Sequence, residues 1–416
     1  MLSCIARSRI SRAAVAALCL VALASSEVLA QSGGSVAFSK KKTIIETIHF
    51  GDFYLPGLIS AGPYLHAFYR PKEQNGLDRM VATSKNGGKK FGKARRVRIP
   101  GFANLLSMTG DQAGNSYFVG TYGDGTLGVL KADQKLKNFA PSNVIDLRGG
   151  IVGASLVIGT EGRIFLVIQK QLSVYTQSGP TISDQVYWTV STDGGATFAE
   201  LTLNRERPYE RAEYLPAIAA GSDGAAWIVY ASDDTNERAS EGDSFNGGQL
   251  FLRKIFPAVG PEVEISRGPA DGRLYSIQAE AAPAGVRMAW AELAVNSPTL
   301  LERVYFSRYD EGGQPTTPGA PLATVGFPHF PNLARTEDGQ IVVFAHGAGF
   351  DSNQPEPAII AVGSTDDGAT FGPVTQVTGY PPITSFWVTR DASKIYGLWT
   401  DTRIVQFATF SAKPST

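Results

Sequence analysis

Two stretches decide the fold: STDGGATF at residues 191–198 and STDDGATF at residues 364–371. Seven of the eight letters agree, although 173 residues separate the copies. Each follows a run with strand character, QVYWTV or AIIAVG, and each ends on an aromatic residue. Ser and Asp side chains hydrogen-bond the backbone of their own turn. Gly195 and Gly368 can supply the positive φ that a sharp reversal needs. The stretch therefore reads as a turn between two strands, with Phe198 and Phe371 returning the chain to an apolar layer. A degenerate third copy, SKNGGKKF, runs over residues 84–91 with Asn86 in the Asp place, and SRYDEGG from Ser307 reads as an eroded fourth.

Outward from these turns, one pattern recurs. An aromatic or apolar start, often with Pro, leads into a short apolar run, a Gly/Asp turn and a second apolar run ending in an aromatic. It reads YLPGLISAGPYLHAFY from Tyr54, FANLLSMTGDQAGNSYF from Phe102 and GASLVIGTEGRIFLV from Gly153. It continues as YLPAIAAGSDGAAWIVY from Tyr214, LYSIQAEAAPAGVRMAW from Leu274, HFPNLARTEDGQIVVF from His329 and ITSFWVTRDASKIYGLW from Ile383. Alternating apolar letters around a central turn mark a β-hairpin. Further strand-like runs follow each hairpin, so each unit holds about four strands. Seven such units predict an all-β, seven-bladed β-propeller. A six-bladed ring is the alternative, if the copy at Phe102 or at Gly153 is spurious. The seventh unit is short, since only RIVQFATFS follows its hairpin. KTIIETIHF at residues 42–50 is expected to supply the missing strand, closing the ring by pairing N- and C-terminal strands and removing two exposed edges.

The first thirty residues read differently. Arg7, Arg9 and Arg12 precede an apolar run from Ala13 to Ala24, and Val28-Leu29-Ala30 offers a small residue for cleavage. This is the pattern of a secretory signal peptide over residues 1–30, too short for a good membrane span. Residues 31–41 are expected as a flexible N-terminal segment, and 42–416 as the propeller domain. Both cysteines, Cys4 and Cys19, fall inside the signal, which leaves no disulfide or thiol chemistry for the exported chain. A secreted or periplasmic location follows. The remaining 35 basic and 37 acidic residues nearly cancel, pointing to no nucleic-acid partner and no membrane span.

The pattern Ser-x-Asp-x-Gly-x-Thr-Phe resembles the Asp-box, or BNR repeat, of sialidases and related propellers. The resemblance implies that the boxes lie on the face away from the active site. It also implies three arginines clamping a substrate carboxylate, a tyrosine nucleophile activated by a glutamate, and an aspartate as acid and base. FYRPKEQNGLDRMVATSKNGGKKF is similar to the family's stretch leading to its first box, which makes Asp78 the expected acid/base. LYSIQAEAAPAGVRMAWAE is similar to a Tyr-Ser start of a late blade, which makes Tyr275 the expected nucleophile and Glu213 its upstream partner. Arg70, Arg98, Arg211 and Arg273 are the expected substrate-binding cations. The implied function is a sialidase-like glycoside hydrolase acting on glycans. One departure keeps a second reading open. The family opens its first blade with Phe-Arg-Ile-Pro, whereas this chain has Phe53-Tyr54-Leu55-Pro56. The alternative is a non-catalytic propeller binding a carbohydrate or a protein partner. No cofactor is implied. His329 and His346 bound one hairpin and could meet at its open end, but two histidines without a clear carboxylate make no convincing metal site.

Overall fold

The computed structural model describes residues 34–45, 57–69, 78–141, 145, 150–176, 179–205, 213–232, 249–265, 273–293, 301–317, 320–326, 328–348, 357–378, 383–401 and 404–414. They form seven antiparallel sheets in a seven-bladed β-propeller. The innermost strands are Gly57–Ala61, Phe102–Gly110, Ile151–Ile158, Glu213–Ala220, Arg273–Ala282, Pro328–Arg335 and Ile383–Arg390. Each touches the innermost strand of the next blade, and the seventh touches the first. The second strand of each blade is sandwiched between neighbouring sheets, so it is apolar on both sides. Ala226–Ser232, with seven buried residues in a row, is the extreme case. Aromatic pairs join the sheets, such as Phe68 with Phe118 between blades 1 and 2 (5.6 Å) and Phe344 with Phe410 between blades 6 and 7 (4.9 Å).

Blade 7 borrows its outer edge from the start of the chain, as expected, but a second segment ahead of the expected one takes part. Ser35–Phe38 pairs antiparallel with Ile404–Lys413, from Ser35 opposite Lys413 to Phe38 opposite Phe410. Lys42–Ile45 pairs further along the same strand, with Lys42 opposite Phe407. Closure therefore begins inside the stretch expected to be a flexible segment over residues 31–41. The reason is apolar burial: Val36 is 7% exposed and packs with Phe344, Trp399 and Phe410.

The two near-identical stretches fold alike, between the third and fourth strands of blades 3 and 6. In the first, Ser191 Oγ accepts the Gly195 N–H (2.8 Å) and donates to Asp193 Oδ1 (2.8 Å). Asp193 in turn accepts the Thr197 N–H (2.9 Å) and hydroxyl (2.6 Å). Ser364, Asp366, Gly368 and Thr370 repeat each of these bonds in blade 6. In blade 1, Ser84, Asn86 and Gly88 repeat the backbone part. The Thr197 and Ser191 hydrogen bonds hold the Asp193 carboxyl well below its usual range. Blade 5 departs from the pattern: Ser307 donates to the Thr317 carbonyl (2.7 Å), and Asp310 organises the turn instead.

These turns also staple blades 1, 3 and 6 to the blade before each of them. Phe91 packs on Phe407 of blade 7 (5.0 Å) and Phe371 on Phe306 of blade 5 (4.9 Å). Phe198 joins the cluster of Tyr117 and Val119 in blade 2. Gly368 has φ +85°, and a Cβ there would lie 2.4 Å from the Phe306 ring. Conformation and contact therefore both demand glycine.

The single letter that differs carries its own staple. Gly194 has φ +70°, and Asp367, its counterpart, has φ +60°, a conformation uncommon for a residue with a side chain. The Asp367 carboxylate collects three guanidinium groups. Arg287 of blade 5 donates to its Oδ2, Arg335 donates to Oδ1 (2.7 Å), and Arg308 lies 3.6 Å away. Burial pushes the Asp367 carboxyl up, but the Arg287 and Arg335 hydrogen bonds outweigh it and hold the group below its usual range. The Arg287 side chain is only 1% exposed, so it depends on this partner.

Two predictions follow from the packing. Asp367→Ala should cost about 3 kcal/mol of unfolding free energy, because it strands a buried charge. Asp367→Gly should lose about 1 kcal/mol less, because the strained φ is relieved. Urea denaturation reads both, and an unchanged midpoint would remove this ion cluster from the account of how blades 5 and 6 are joined. The second concerns His66, which is 1% exposed in the second strand of blade 1, with Nδ1 3.0 Å from Thr83 Oγ1. Burial first, then the Arg95 charge, lower its pKa from 6.5 to about 4. The unfolded chain therefore binds a proton that the folded chain refuses. Stability should fall by about 3 kcal/mol as pH drops from 6.5 towards 4. Thermal melts of His66→Gln should lack that part of the slope; an equal slope in both proteins would assign the acid lability elsewhere.

Candidate functional site

A hairpin brings its two ends to one side. In every blade the start of the innermost strand and the end of the second strand share one face, and the turns just described occupy the other. Glu213 is the first residue of its innermost strand, opposite Ser232. Arg273, the first residue of the next innermost strand, lies opposite Leu293. Asp78 opens the third strand of blade 1, opposite Arg98 on the fourth.

Five of the seven expected site residues therefore stand at the same end of the ring: Asp78, Arg98, Glu213, Arg273 and Tyr275. Glu213 stands on the innermost strand of blade 4, and Arg273 and Tyr275 stand on that of blade 5 next to it. Asp78 is two strands out, and Arg98, an exposed residue, is three strands out. At about 5 Å between strands, that places Arg98 roughly 15 Å outward from the inner strand of its blade. Arg70, Arg211 and Tyr54 lie outside the described residues. His329 and His346 are direct cross-strand partners at this end of blade 6.

A local device recurs at this end. The innermost strands of blades 2 to 7 each carry an extra residue close to their start, and blade 2 a second one further on, breaking register with the second strand. In blade 5 the extra residue is Tyr275, between the pairs Leu274–Glu292 and Ser276–Ala291. A bulge re-aims the side chain it carries and is common beside functional sites. The proline in LPA and FPN, Pro216 and Pro331, suits such a position because it has no N–H to contribute to the ladder. Glu292, near the end of the second strand of blade 5, belongs to the same face by its sequence position but has no assigned role there. It is 2% exposed, opposite Leu274, and accepts the Trp290 indole N–H (2.7 Å). Its signal in the sequence was a carboxylate two residues after a core tryptophan.

The opposite face has an axial cavity of about 1330 Å³, lined by the hairpin turns of blades 1 to 7. Glu280 of blade 5 and Arg390 of blade 7 meet there (3.4 Å). Arg390 also donates to the Arg335 carbonyl. Burial pushes the Glu280 carboxyl up, and the Arg390, Arg287 and Arg335 charges pull it back only in part. These groups satisfy one another, which makes the cluster an axial tie between blades.

No family model matches this chain, and no curated relative matches it. Among solved structures it is similar to a mutant of puromycin hydrolase, with 15% identity and TM-score 0.50, covering 84% of this chain and 50% of that one. It is also similar to an α-L-arabinanase of Penicillium chrysogenum, with 10% identity and TM-score 0.47 over 90% and 98% of the two chains. A sialidase of Streptococcus pneumoniae gives 8% identity and TM-score 0.43 over 89% and 85%. At 15% identity over half of its length, the likeness to the puromycin hydrolase is one of fold alone.

Proposed function

We propose that this chain is a sialidase-like propeller that acts on glycans through the face opposite its repeated turns. The observation that carries the reading is the placement of Glu213, Arg273 and Tyr275 on adjacent innermost strands at that face, with Tyr275 as the extra residue of a bulge. In the reaction that their chemistry suits, Glu213 takes the phenolic proton as the Tyr275 oxygen attacks the anomeric carbon. Asp78 protonates the departing glycosidic oxygen, then deprotonates the water that releases the sugar. Arg273 and Arg211 supply positive charge to an acidic substrate group.

A second reading rests on two observations: Tyr54 stands where a clamp arginine is expected, and Arg98 stands at the outer rim of its blade. Both favour a propeller that binds a carbohydrate, or a protein partner, without turning it over. We also propose export through cleavage after Ala30; a secreted product whose N-terminus is Gln31 would agree, and one that keeps Met1 would not.

A panel of fluorogenic glycosides separates the two readings. If the chain is a hydrolase, Tyr275→Phe and Asp78→Ala should each lower kcat/KM by at least about a hundredfold. Turnover unchanged in both variants would remove these assignments. Binding on a glycan array with no turnover of any glycoside would establish the second reading.

A further inference from the structure

Formal charge over the whole chain is zero, but it is not evenly spread. Residues 84–98, SKNGGKKFGKARRVR, hold seven basic residues and no acidic one. They form the turn and outer strand of blade 1. Lys85, Lys89, Lys90 and Lys93 are exposed. Neighbouring blades extend the same charge. On one side, Lys42 donates to the carbonyls of Gly88 (2.8 Å) and Lys89 (2.9 Å), which brings exposed Lys40 and Lys41 alongside. On the other, Arg95 donates to the Lys135 carbonyl, which brings in exposed Lys135 and Lys137 of blade 2. Towards the axis, Lys394 of blade 7 shares a cavity of about 360 Å³ with Lys85 and Lys89.

The carboxylates within these segments are already engaged. Asp133 accepts the N–H groups of Lys135 and Lys137, and Asp391 accepts those of Ser393 and Lys394. Among the described residues, no ion pair engages the side chains of Lys85, Lys89, Lys90, Lys93, Lys135 or Lys137. Uncompensated like charge on one surface costs self-repulsion unless a polyanion relieves it.

We infer that this surface, spanning blades 7, 1 and 2, binds a linear anionic polysaccharide, whether sulfated or built of uronate. Two observations choose that polymer over other polyanions. The aromatics at the patch among the described residues have ring partners: Phe91 packs on Phe407, Phe38 on Phe410, and Tyr64 stacks on His66 under Lys85. Bases of single-stranded nucleic acid would find no free platform for stacking. Among the described residues, the large exposed apolar side chains Val152, Val259 and Val374 belong to blades 3, 4 and 6, outside this surface, and only Phe38 lies beside it, which gives a lipid surface little to insert there. What remains is a row of flexible point charges suited to repeated sulfate or carboxylate groups. Arg98 alone reaches the end of its strand that faces the proposed glycan-processing side; the exposed lysines lie on and beside the repeated-turn side, and the inference does not depend on that reading.

Salt-dependent binding of the intact chain to heparin and to polygalacturonate tests it. Both should bind at 50 mM NaCl, and the stronger one names the anionic group. The triple substitution Lys89→Gln, Lys90→Gln and Lys93→Gln should weaken binding at least tenfold and flatten the log–log salt slope by about two to three. The pair Lys135→Gln and Lys137→Gln, in a different blade, should weaken it too, which guards against a folding defect in either variant. Lys170→Gln with Lys254→Gln, in blades 3 and 4, should leave it unchanged. No retention on either polymer, equal affinity in the triple variant, or tighter binding to DNA or phosphatidylserine vesicles would overturn the inference.

Discussion

The last blade of this ring is a full sheet only because the chain's own beginning supplies its outer strands, and the rest of this structure depends on that constraint. The pairing of Ser35 with Lys413 spans nearly the whole molecule. It adds few hydrogen bonds, yet it turns an open stack of sheets into a closed one, so every inner strand has a neighbour on both sides. The entropy of closing so long a loop must be met before the contact gives anything back. Blade 7 is the one blade that draws on both ends of the chain, while each of the other six is built from one continuous stretch.

In three of the blades the repeated turn joins neighbouring sheets. Its Ser and Asp (or Asn) fix the backbone, its Gly permits close approach, and its final Phe enters the preceding blade. Each copy joins two sheets that are not hydrogen-bonded to each other. In blade 6, Asp367 adds charge to the same joint, accepting a less favourable backbone conformation to hold the buried Arg287. Rigidity concentrated on this face leaves the other free to carry loops of any length, which is where function usually resides on a rigid scaffold.

Most of the architecture was legible because a hairpin's alternation and turn chemistry are local and recur seven times. Ser35–Phe38 was not, since four residues without a turn signal say nothing about a partner at the far end of the chain. The Asp367 cluster was hidden for a similar reason: Arg287 and Asp367 read as ordinary surface charges until two blades are placed side by side. Charge segregation escaped notice because a net of zero conceals an uneven distribution. For the candidate site, the residues could be assigned to one face, but their radial position could not. Arg98 looked equivalent to the other arginines until the strand order put it on the outermost strand.

The extra residue near the start of six innermost strands has a consequence for how such a molecule can change. Side chains alternate along a strand, so one inserted residue normally sends every later side chain to the wrong side of the sheet. A bulge absorbs that slip at a fixed place. Residues ahead of it can be replaced, lengthened or shortened while those behind keep their positions between the blades. The rim is thereby decoupled from the core, and its segments can be varied one at a time.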